Sequence, residues 1–313
     1  MFPAFITTFL WSFCVVAARR SVDQLGEDRA NLYRLLLATT LLGILAHTFG
    51  GGLGGAGFWY FFLSGVIGFG LGDIGIYFAL SRIGSRLTIL LAQCGAAPVA
   101  GLAEWLWMGT LVSAAQIMCI SIILAGITIA LFPERERWAT VREGPFLPGV
   151  LAGVLAAFGQ GLGAVFSRRA YDAAQSVGEL PVDRTLLLPS EAIWLGATAG
   201  YQRLIGGLLL VVLFTAWRAY RGSLAATAPR CGDPASVKGA FVFVNALTGP
   251  VLGIICFQWA LATTPSVIVQ PIIALTPIVV IPLAFWFEGD RPSPRSLLGG
   301  AVAVGGALLL AWA

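Results

Sequence analysis

The chain has 313 residues, of which 58% are hydrophobic and only 11% carry a charge, whereas ordinary soluble domains have about 45–50% and about 25%. This composition excludes an ordinary soluble domain and indicates a protein that lies in a lipid bilayer. The net charge of +4 does not indicate a nucleic-acid partner, because nearly all lysines and arginines lie in short loops, where they act as orientation signals.

Ten apolar stretches are each expected to cross a hydrocarbon core of about 30 Å, which takes about 20 residues of helix. They lie at approximately 3–18, 33–49, 58–80, 87–106, 111–132, 147–167, 199–217, 239–261, 267–287 and 297–313. Because these stretches and their connections use nearly all the residues, the sequence predicts an all-α integral membrane protein that forms a single membrane unit. The first stretch lacks the basic region of a signal peptide, and the internal repeat described below indicates that it is retained.

Side chains that bind metals or cofactors are scarce. The five cysteines show no paired spacing and four of them lie in predicted spans, so neither a disulfide framework nor a zinc site is indicated. The single histidine, His47, lies at the end of a span, and the sequence contains no Gly-x-x-x-x-Gly-Lys-Ser/Thr loop. We therefore expect no metal, no cofactor and no nucleotide-driven pump.

The two halves of the sequence resemble each other. The segment LGDIGIYFAL (71–80) aligns with LGIICFQWAL (252–261), with five of ten positions identical at an offset of 181. Arg34 at the start of span two pairs with Arg203 at the start of span seven, at an offset of 169. The ends of spans one and six pair at an offset of 149, and those of spans five and ten at 180.

These ordered pairs predict a duplication of five helices. Because each copy has an odd number of spans, the second copy enters the membrane upside down. The predicted domains are a first five-helix repeat over residues 1–132, a linker loop over 133–146 and a second five-helix repeat over 147–313. Two inverted halves of this kind place a central site between them.

Two long segments carry a resemblance to a known family. In the second half, WALATTPSVIVQPIIALTPIVVIPLAFWFEGDRPSPRSLLGGAVAVGGALLLA has Ala260-Leu261, Pro277, Glu288-Gly289 and its paired glycines in positions similar to those of EamA-type members of the drug/metabolite transporter superfamily. The first half adds FALSRIGSRLTILLAQCGAAPVAGLAE with Pro98. The resemblance covers essentially the whole chain, but Met108 stands where the repeat would place a counterpart of Glu288, and Glu104 lies one turn earlier.

The resemblance implies a secondary active transporter of small metabolites, most readily an exporter, in the inner membrane of a bacterium. Alternating access between the inverted halves would move the substrate. The implied partners are a small-molecule substrate, the lipid bilayer and, if a buried carboxylate titrates, protons as the coupling ion. The assembly is left open between a monomer and a homodimer.

Basic residues are distributed unevenly between the two faces of the predicted fold. The loops after odd-numbered spans hold 14 of them, at positions 19, 20, 29, 82, 86, 135, 137, 142, 218, 221, 230, 238, 291 and 295. The opposite face holds three, Arg168, Arg169 and Arg184. The positive-inside rule places the richer face in the cytoplasm and both termini outside. The resemblance implies both termini inside, and we favour the charge count.

Asp73 interrupts the apolar run GFGLGDIGIYFAL (68–80). An ionisable residue inside a membrane span is costly and by default marks a functional site. Its counterpart in the second repeat is Ile254, so the duplication does not explain it. Asp73 is a candidate proton carrier or partner of a cationic substrate group, and Tyr77, one turn later, shares its helix face. The alternative is a structural ion pair or a carboxylate near the interface.

Gly70-Leu71-Gly72-Asp73 also resembles the Gly-x-Gly-Asp motif of intramembrane aspartyl proteases. That chemistry needs a second aspartate, which the family supplies from a Tyr-Asp helix before this one, with a Pro-Ala-Leu motif after it. Here Tyr171-Asp172 follows Asp73, and no Pro-Ala-Leu occurs. No catalytic residue is assigned, and an intramembrane protease and a non-transporting membrane scaffold remain as alternatives to a transporter.

Other polar residues in the spans are candidates for a substrate pathway. Arg34 and Arg203 either snorkel to the headgroups or lie at the two mouths of a pathway, where each would pair with an anionic substrate group. The amide side chains that could line this pathway are Gln93, Gln160, Asn245, Gln258 and Gln270. Interhelical hydrogen bonds are the alternative role of these amides.

Prolines and glycines mark the places where predicted helices bend or pack closely. Pro98, Pro271 and Pro277 interrupt spans four and nine, and broken helices near the midplane are where such transporters bind substrate. A simple packing kink is the alternative. The glycines at positions 68, 70 and 72 and at 159, 161 and 163 favour close packing of spans three and six.

Overall fold

The computed structural model describes residues 2–109, 113–131, 146–222, 235–288 and 293–310, and every regular element within them is a helix. In chain order the α-helices are α1 (Phe2–Leu25), α2 (Glu27–Phe49), α3 (Phe58–Gly65), α4 (Asp73–Ile89), α5 (Gly95–Met108), α6 (Ala114–Leu131), α7 (Phe146–Ser176), α8 (Pro189–Tyr220), α9 (Ala235–Ala246), α10 (Leu252–Thr263), α11 (Ser266–Ile273), α12 (Thr276–Glu288) and α13 (Pro294–Leu310).

Three π-helical segments connect some of these helices without an intervening loop. They are π1 (Val66–Gly72), π2 (Leu90–Cys94) and π3 (Leu247–Val251), and a short 3₁₀ helix covers Arg184–Leu186. Each π segment widens the helix by one residue locally, and such segments occur frequently at functional sites.

Seven helical runs within the described residues are long and apolar enough to cross a membrane, and they indicate an integral membrane protein. The longest, Phe58–Trp107, has 50 residues. At a rise of about 1.5 Å per residue it would measure about 75 Å, far more than a core of about 30 Å. Gly84, with φ 76° and ψ 171°, interrupts it between the stretches assigned to spans three and four.

Two shorter apolar helices, Ile117–Ala130 and Leu297–Gly306, lie at the predicted spans five and ten. The all-helical membrane fold is therefore observed. The count of ten spans and the inversion of the two repeats stay predictions, as do the domain boundaries.

Two helices begin well before the apolar stretches that predicted them. Span two was expected from residue 33 and span seven from residue 199, but α2 begins at Glu27 and α8 at Pro189. A hydropathy average omits polar first turns, although acidic residues are favourable there because they face the positive end of the helix dipole. At α8, Pro189 occupies the first turn and the Glu191 side chain accepts the backbone N–H of Leu188 at 3.0 Å.

The two halves of the chain pack into each other. From the second half, α7 and α8 pack against α3, π1 and α4, while α1 and α2 of the first half pack against α9 and α10. Glycines allow the backbones to approach, as the sequence predicted. A Cβ atom built on Gly159 of α7 would lie 2.5 Å from the Cα of Gly72 in π1. The last helices of the halves, α6 and α13, pack against each other through Gly126 and Gly299.

Candidate functional site

A cavity of about 60 Å³ lies between helices of both halves. Six of the residues selected from the sequence line it, namely Arg34, Asp73, Tyr77, Gln93, Gln160 and Arg203. Apolar side chains, including Trp11, Phe69 and Ile254, form much of the remaining wall. Small-molecule sites usually measure about 300–1,000 Å³, so in this conformation the cavity has room for a few water molecules but not for a metabolite.

An ion pair between Arg34 and Asp73 joins α2 to the first residue of α4 inside this cavity. The Nη2 group of Arg34 donates to Oδ2 of Asp73 and, at 3.1 Å, to Oδ1 of Asn31. The guanidinium also lies over the ring of Tyr77, with Cζ 5.1 Å from the ring centroid. Both charged side chains are buried, so each depends on the other for neutralisation.

Arg203 of α8 lines the same cavity but has no such partner. Only 2% of the residue is exposed, and within the described part of the chain its Nε and Nη1 have no hydrogen-bond partner. Its guanidinium lies over two rings, with Cζ 5.2 Å from the centroid of Phe69 and 5.7 Å from that of Phe257. Glycines leave space for it, because Cβ atoms built on Gly68 and Gly163 would lie 3.0 and 3.3 Å from Nη2.

The positions of the two arginines correct the sequence interpretation. Arg34 and Arg203 were placed at the openings of spans two and seven, where they would snorkel to headgroups or lie at opposite mouths of a pathway. Because both helices begin earlier, both side chains instead lie within their helices, are buried and line one cavity. The burial of both side chains contradicts the prediction that they extend to the lipid headgroups.

The five predicted amides divide into two groups. Gln93 of π2 and Gln160 of α7 line the cavity, and Oε1 of Gln93 has no partner among the described residues. Asn245 lies behind the wall, where its Nδ2 donates to Oη of Tyr77 at 2.6 Å. Gln258 donates to Oγ of Ser167 at 3.2 Å, and Gln270 is buried away from the cavity. For Asn245 and Gln258 the interhelical hydrogen bond is the role observed.

The prolines and the π segments shape the cavity wall. Each π segment contributes to it, through Phe69 in π1, Gln93 in π2 and Pro250 in π3. Pro98 lies inside α5, four residues after the end of π2, and cannot donate a hydrogen bond to the Cys94 carbonyl. Pro250 was missed, although the pair Gly249-Pro250 within span eight is the kind of signal that marks a helix break.

Pro271 and Pro277 lie on either side of a true helix break. Pro271 is in α11, Pro277 is the second residue of α12, and the two helices are separated at residues 274–275. Neither proline lines the cavity. Of the three predicted hinges, Pro98 is adjacent in sequence to a cavity-lining segment, and the other two bend the chain elsewhere.

A cluster of carboxylates and arginines lies at the arginine-rich end of the bundle, and sequence reasoning missed it. Glu27, at the start of α2, accepts from Arg82 at 2.8 Å and from Arg218 at 3.2 Å. Arg218 also contacts Asp28 at 2.8 Å, and Ser81 donates to Glu27 at 2.7 Å. We call these five residues the acidic latch, because they join α2, α4 and the end of α8. A cavity of about 10 Å³ beside it is lined in part by Tyr77, which also lines the central cavity.

The opposite end of the bundle is more open. A pocket of about 430 Å³ lies there between the loop over residues 50–57 and the start of α8. Gln202 lines this pocket and donates to the carbonyls of Gly52 and Gly54 at 3.0 and 2.9 Å. We call it the glycine-loop pocket. Since Gln202 precedes Arg203, α8 presents adjacent residues to the pocket and to the central cavity.

The last turns of α7 and the loop that follows it, at this same end, hold two carboxylates that accept hydrogen bonds, Asp172 in the helix and Asp183 in the loop. Asp172 accepts from Nη2 of Arg184 at 2.9 Å. Asp183 accepts from the hydroxyl and backbone N–H of Thr185 at 2.6 and 3.0 Å, and these hydrogen bonds lower the pKa of its carboxyl group. Asp172 does not line the central cavity, so it provides no second aspartate beside Asp73.

Comparison with known families accounts for this architecture. The family model for EamA-like transporters matches residues 1–132 and 191–312. The chain belongs to the EamA-like transporter family. It is therefore a membrane transporter of the drug/metabolite transporter type, as the sequence resemblance implied.

Comparison with individual proteins supports the fold and gives no information about the substrate. No curated protein matches the sequence of this EamA-like transporter. A solved structure described as "Crystal structure of protein" is similar over 98% of this chain and 94% of its own, with a TM-score of 0.61 and 17% sequence identity. Identity at this level indicates a shared fold and assigns no substrate.

Proposed function

We propose that this protein is a secondary active exporter of small metabolites that works by alternating access between two inverted five-helix halves. The observation that carries the proposal is the cavity between the halves, because its charged residues come from both of them. Arg34 and Asp73 belong to the first half and Arg203 to the second. Charged groups within a membrane domain mark pathways for ions or substrates.

Contacts around the two arginines support the inversion. The sequence repeat pairs Arg34 with Arg203 and Gly68 with Gly249. A Cβ atom on Gly68 would lie 3.0 Å from Nη2 of Arg203, and one on Gly249 would lie 3.7 Å from Nη1 of Arg34. Each arginine therefore lies against the glycine of the other half. A two-fold relation between the halves requires this kind of reciprocal contact.

The two ends of the bundle support alternating access. The acidic latch joins helices at the arginine-rich end, whereas the other end holds the glycine-loop pocket. Opening the arginine-rich end would require Glu27 and Asp28 to release Arg82 and Arg218, a small set of contacts that a two-state motion can exchange. Asp73 is the candidate for proton coupling, because it is the single carboxylate in the described cavity wall.

The alternative functions lack this support. An aspartyl protease needs two aspartates that share the work on one water molecule, and the described wall contains Asp73 alone, already bound to Arg34. A non-transporting scaffold does not require charged residues around a buried cavity. The scaffold predicts no saturable transport, and the protease predicts cleavage of a helical substrate that is lost in Asp73→Asn.

The proposed function can be tested in two steps. A metabolite-wide comparison of cells with and without the gene, inside and outside the cells, should identify compounds that leave only when the protein is present. Purified protein in vesicles should then exchange the identified compound across the membrane with saturable kinetics. Absence of any such compound, together with absence of counterflow in vesicles, would leave the scaffold as the better interpretation.

Orientation is a separate prediction of the same proposal. The face with 14 basic residues, against three on the other, is expected in the cytoplasm, most simply of a bacterial inner membrane. A reporter fused after Ala313 should therefore report an external location. A cytoplasmic reporter would agree with the family analogy and would place the acidic latch outside, without changing the fold.

A further inference from the structure

Arg203 differs from the other charged side chains of the cavity because none of the described carboxylates forms a salt bridge with it. Arg34 and Asp73 neutralise each other, whereas Nε and Nη1 of Arg203 have no partner within the described residues. A buried guanidinium without a partner is costly, since an arginine in a protein stays charged. The position of such a residue in the cavity wall indicates that a bound group completes the site.

The charges of the wall determine the sign of that group. The described wall contains two guanidinium groups and one carboxylate, so it carries an excess positive charge. An incoming cation would meet two arginines and a carboxylate that is already occupied. A singly charged anion would instead bring the cavity to neutrality, which lowers the cost of holding charge within a membrane. A phosphate monoester, with a charge of about −2, would overshoot this balance.

The surroundings of Arg203 indicate which kind of anionic group would bind there. The guanidinium lies over the rings of Phe69 and Phe257, and the backbones of Gly68 and Gly163 lie beside Nη2. A guanidinium held in one orientation presents a fork of N–H donors that matches the two oxygens of a carboxylate.

The rest of the wall suggests what the anion is attached to. Trp11, Ile76, Ile89 and Ile254 give the cavity an apolar surface, and Gln93 and Gln160 add neutral hydrogen-bonding groups. An apolar body fits this surface, whereas a sugar or a polyanion would leave hydroxyls or charges without partners. The cavity of about 60 Å³ must also enlarge before such a molecule binds, as alternating access requires.

We propose that Arg203 binds the carboxylate of the transported molecule, so that the substrate class is small amphipathic organic monocarboxylates. The proposal rests on the proposed transport function and assigns its substrate chemistry. In this assignment the repeat-related arginines have separate roles. Arg34 holds Asp73, and Arg203 is the substrate-binding residue.

Matched probes test the proposal on the full-length protein purified in detergent. Benzoate and hexanoate are compared with benzamide and hexanamide, and with benzylamine and hexylamine, by the shift in melting temperature as concentration rises. We expect at least one carboxylate to stabilise the wild-type protein at concentrations tenfold or more below its amide, with no stabilisation by the amines. Equal effects of carboxylate and amide, or stronger effects of the amines, would overturn the proposal without the need for any variant.

Variants assign the binding to Arg203. Arg203→Gln should reduce the affinity for the stabilising carboxylate at least tenfold, and Arg203→Lys, which keeps the charge but loses the fork, should reduce it less. Arg169→Gln is the matched control, because Arg169 contacts the ring of Trp107 and does not line the cavity. If Arg203→Gln binds the carboxylate as tightly as the control does, the assignment is contradicted. If Arg203→Gln does not fold, the affinity of Arg203→Lys is compared with the control instead.

Failure of this proposal and failure of the proposed function give different results. If vesicles exchange a metabolite but no carboxylate binds, the protein is a transporter and the substrate class is wrong. If carboxylates bind through Arg203 but no compound is exchanged in counterflow, the binding site stands and the transport function is wrong.

Discussion

Arg34 and Arg203 are paired by the predicted sequence repeat but differ in their surroundings. Arg34 is bound by Asp73 and Asn31 and lies over Tyr77, whereas Arg203 lies over the rings of Phe69 and Phe257, with two of its nitrogens lacking a partner among the described residues. The difference in charge arises at one pair of positions, because Asp73 of the first half corresponds to Ile254 of the second. A single carboxylate therefore distinguishes the two arginines, because Asp73 forms a salt bridge with Arg34, and none of the described carboxylates forms one with Arg203.

The largest expected effect comes from removing Arg34. Arg34→Met leaves Asp73 buried without its partner, which we expect to lower the free energy of unfolding by about 3–5 kcal/mol. The double variant Arg34→Met/Asp73→Leu removes both charges and should recover most of that loss. Melting curves of the purified proteins measure both, with Arg169→Met as the control. If the double variant melts as low as the single one, the ion pair is not what stabilises this region.

Asp73→Asn leaves the Arg34 guanidinium without a counter-charge, but the amide oxygen can still accept its hydrogen bond, so we expect a loss of stability no larger than that of Arg34→Met. If Asp73 couples transport to protons, the variant should lose gradient-driven accumulation and keep part of its substrate exchange. If Asp73 only holds Arg34, the amount of folded protein should fall while transport per folded molecule stays near normal. Both quantities are measured in one vesicle preparation, and full activity at normal abundance would exclude both roles.

Substitutions in the acidic latch should change stability less than substitutions at Arg34 or Asp73, because the arginines of the latch are partly exposed to solvent. Glu27→Gln removes the carboxylate that binds Arg82 and Arg218. Each of these two ion pairs is expected to contribute at most about 1 kcal/mol to stability. We expect the arginine-rich end to open more often, by about 5–30-fold for a shift of 1–2 kcal/mol. Thr215 of α8 is buried and lines the small cavity beside Glu27 and Asp28, so a cysteine placed there becomes accessible only when this end opens. The measurement is the rate at which an impermeant maleimide labels Thr215→Cys in a background without the native cysteines.

Glu179→Gln provides the control for the latch variant. Glu179 accepts the backbone N–H of Ala56 at 3.0 Å and lines the glycine-loop pocket at the other end. It should leave labelling of Thr215→Cys unchanged. Equal acceleration by both variants would indicate general loosening of the bundle, in which case the latch is not a gate.

The smallest expected effect comes from removing Arg203, and it is a gain in stability, whereas removing Arg34 causes a loss. Arg203→Met replaces an unpaired buried charge by an apolar side chain, so the ligand-free protein should gain stability on the order of 1 kcal/mol. The same thermal melts measure this change in the absence of any carboxylate. Destabilisation as large as that of Arg34→Met would show that Arg203 has a stabilising partner and would remove the contrast between the two arginines.

The sequence determined the features that depend on local composition. Long apolar stretches predict membrane helices whatever lies next to them, and a charge within such a stretch stands out by itself. For this reason the helical membrane fold, the family and six of the cavity-lining residues could be recognised in advance. The helix starts at Glu27 and Pro189 could not, because averaging over a window treats a polar first turn as a loop.

Only the tertiary structure decided which of these residues meet. Asp73 and Arg34 are 39 residues apart in the chain, and nothing local indicates that they pair while Arg203 does not. The acidic latch was hidden for the same reason, since Arg82 and Arg218 looked like orientation signals until Glu27 and Asp28 were placed beside them. Hydropathy reports the preference of a residue for water or lipid, whereas an ion pair, a cavity or a free guanidinium depends on distances between segments that only the packed fold brings together.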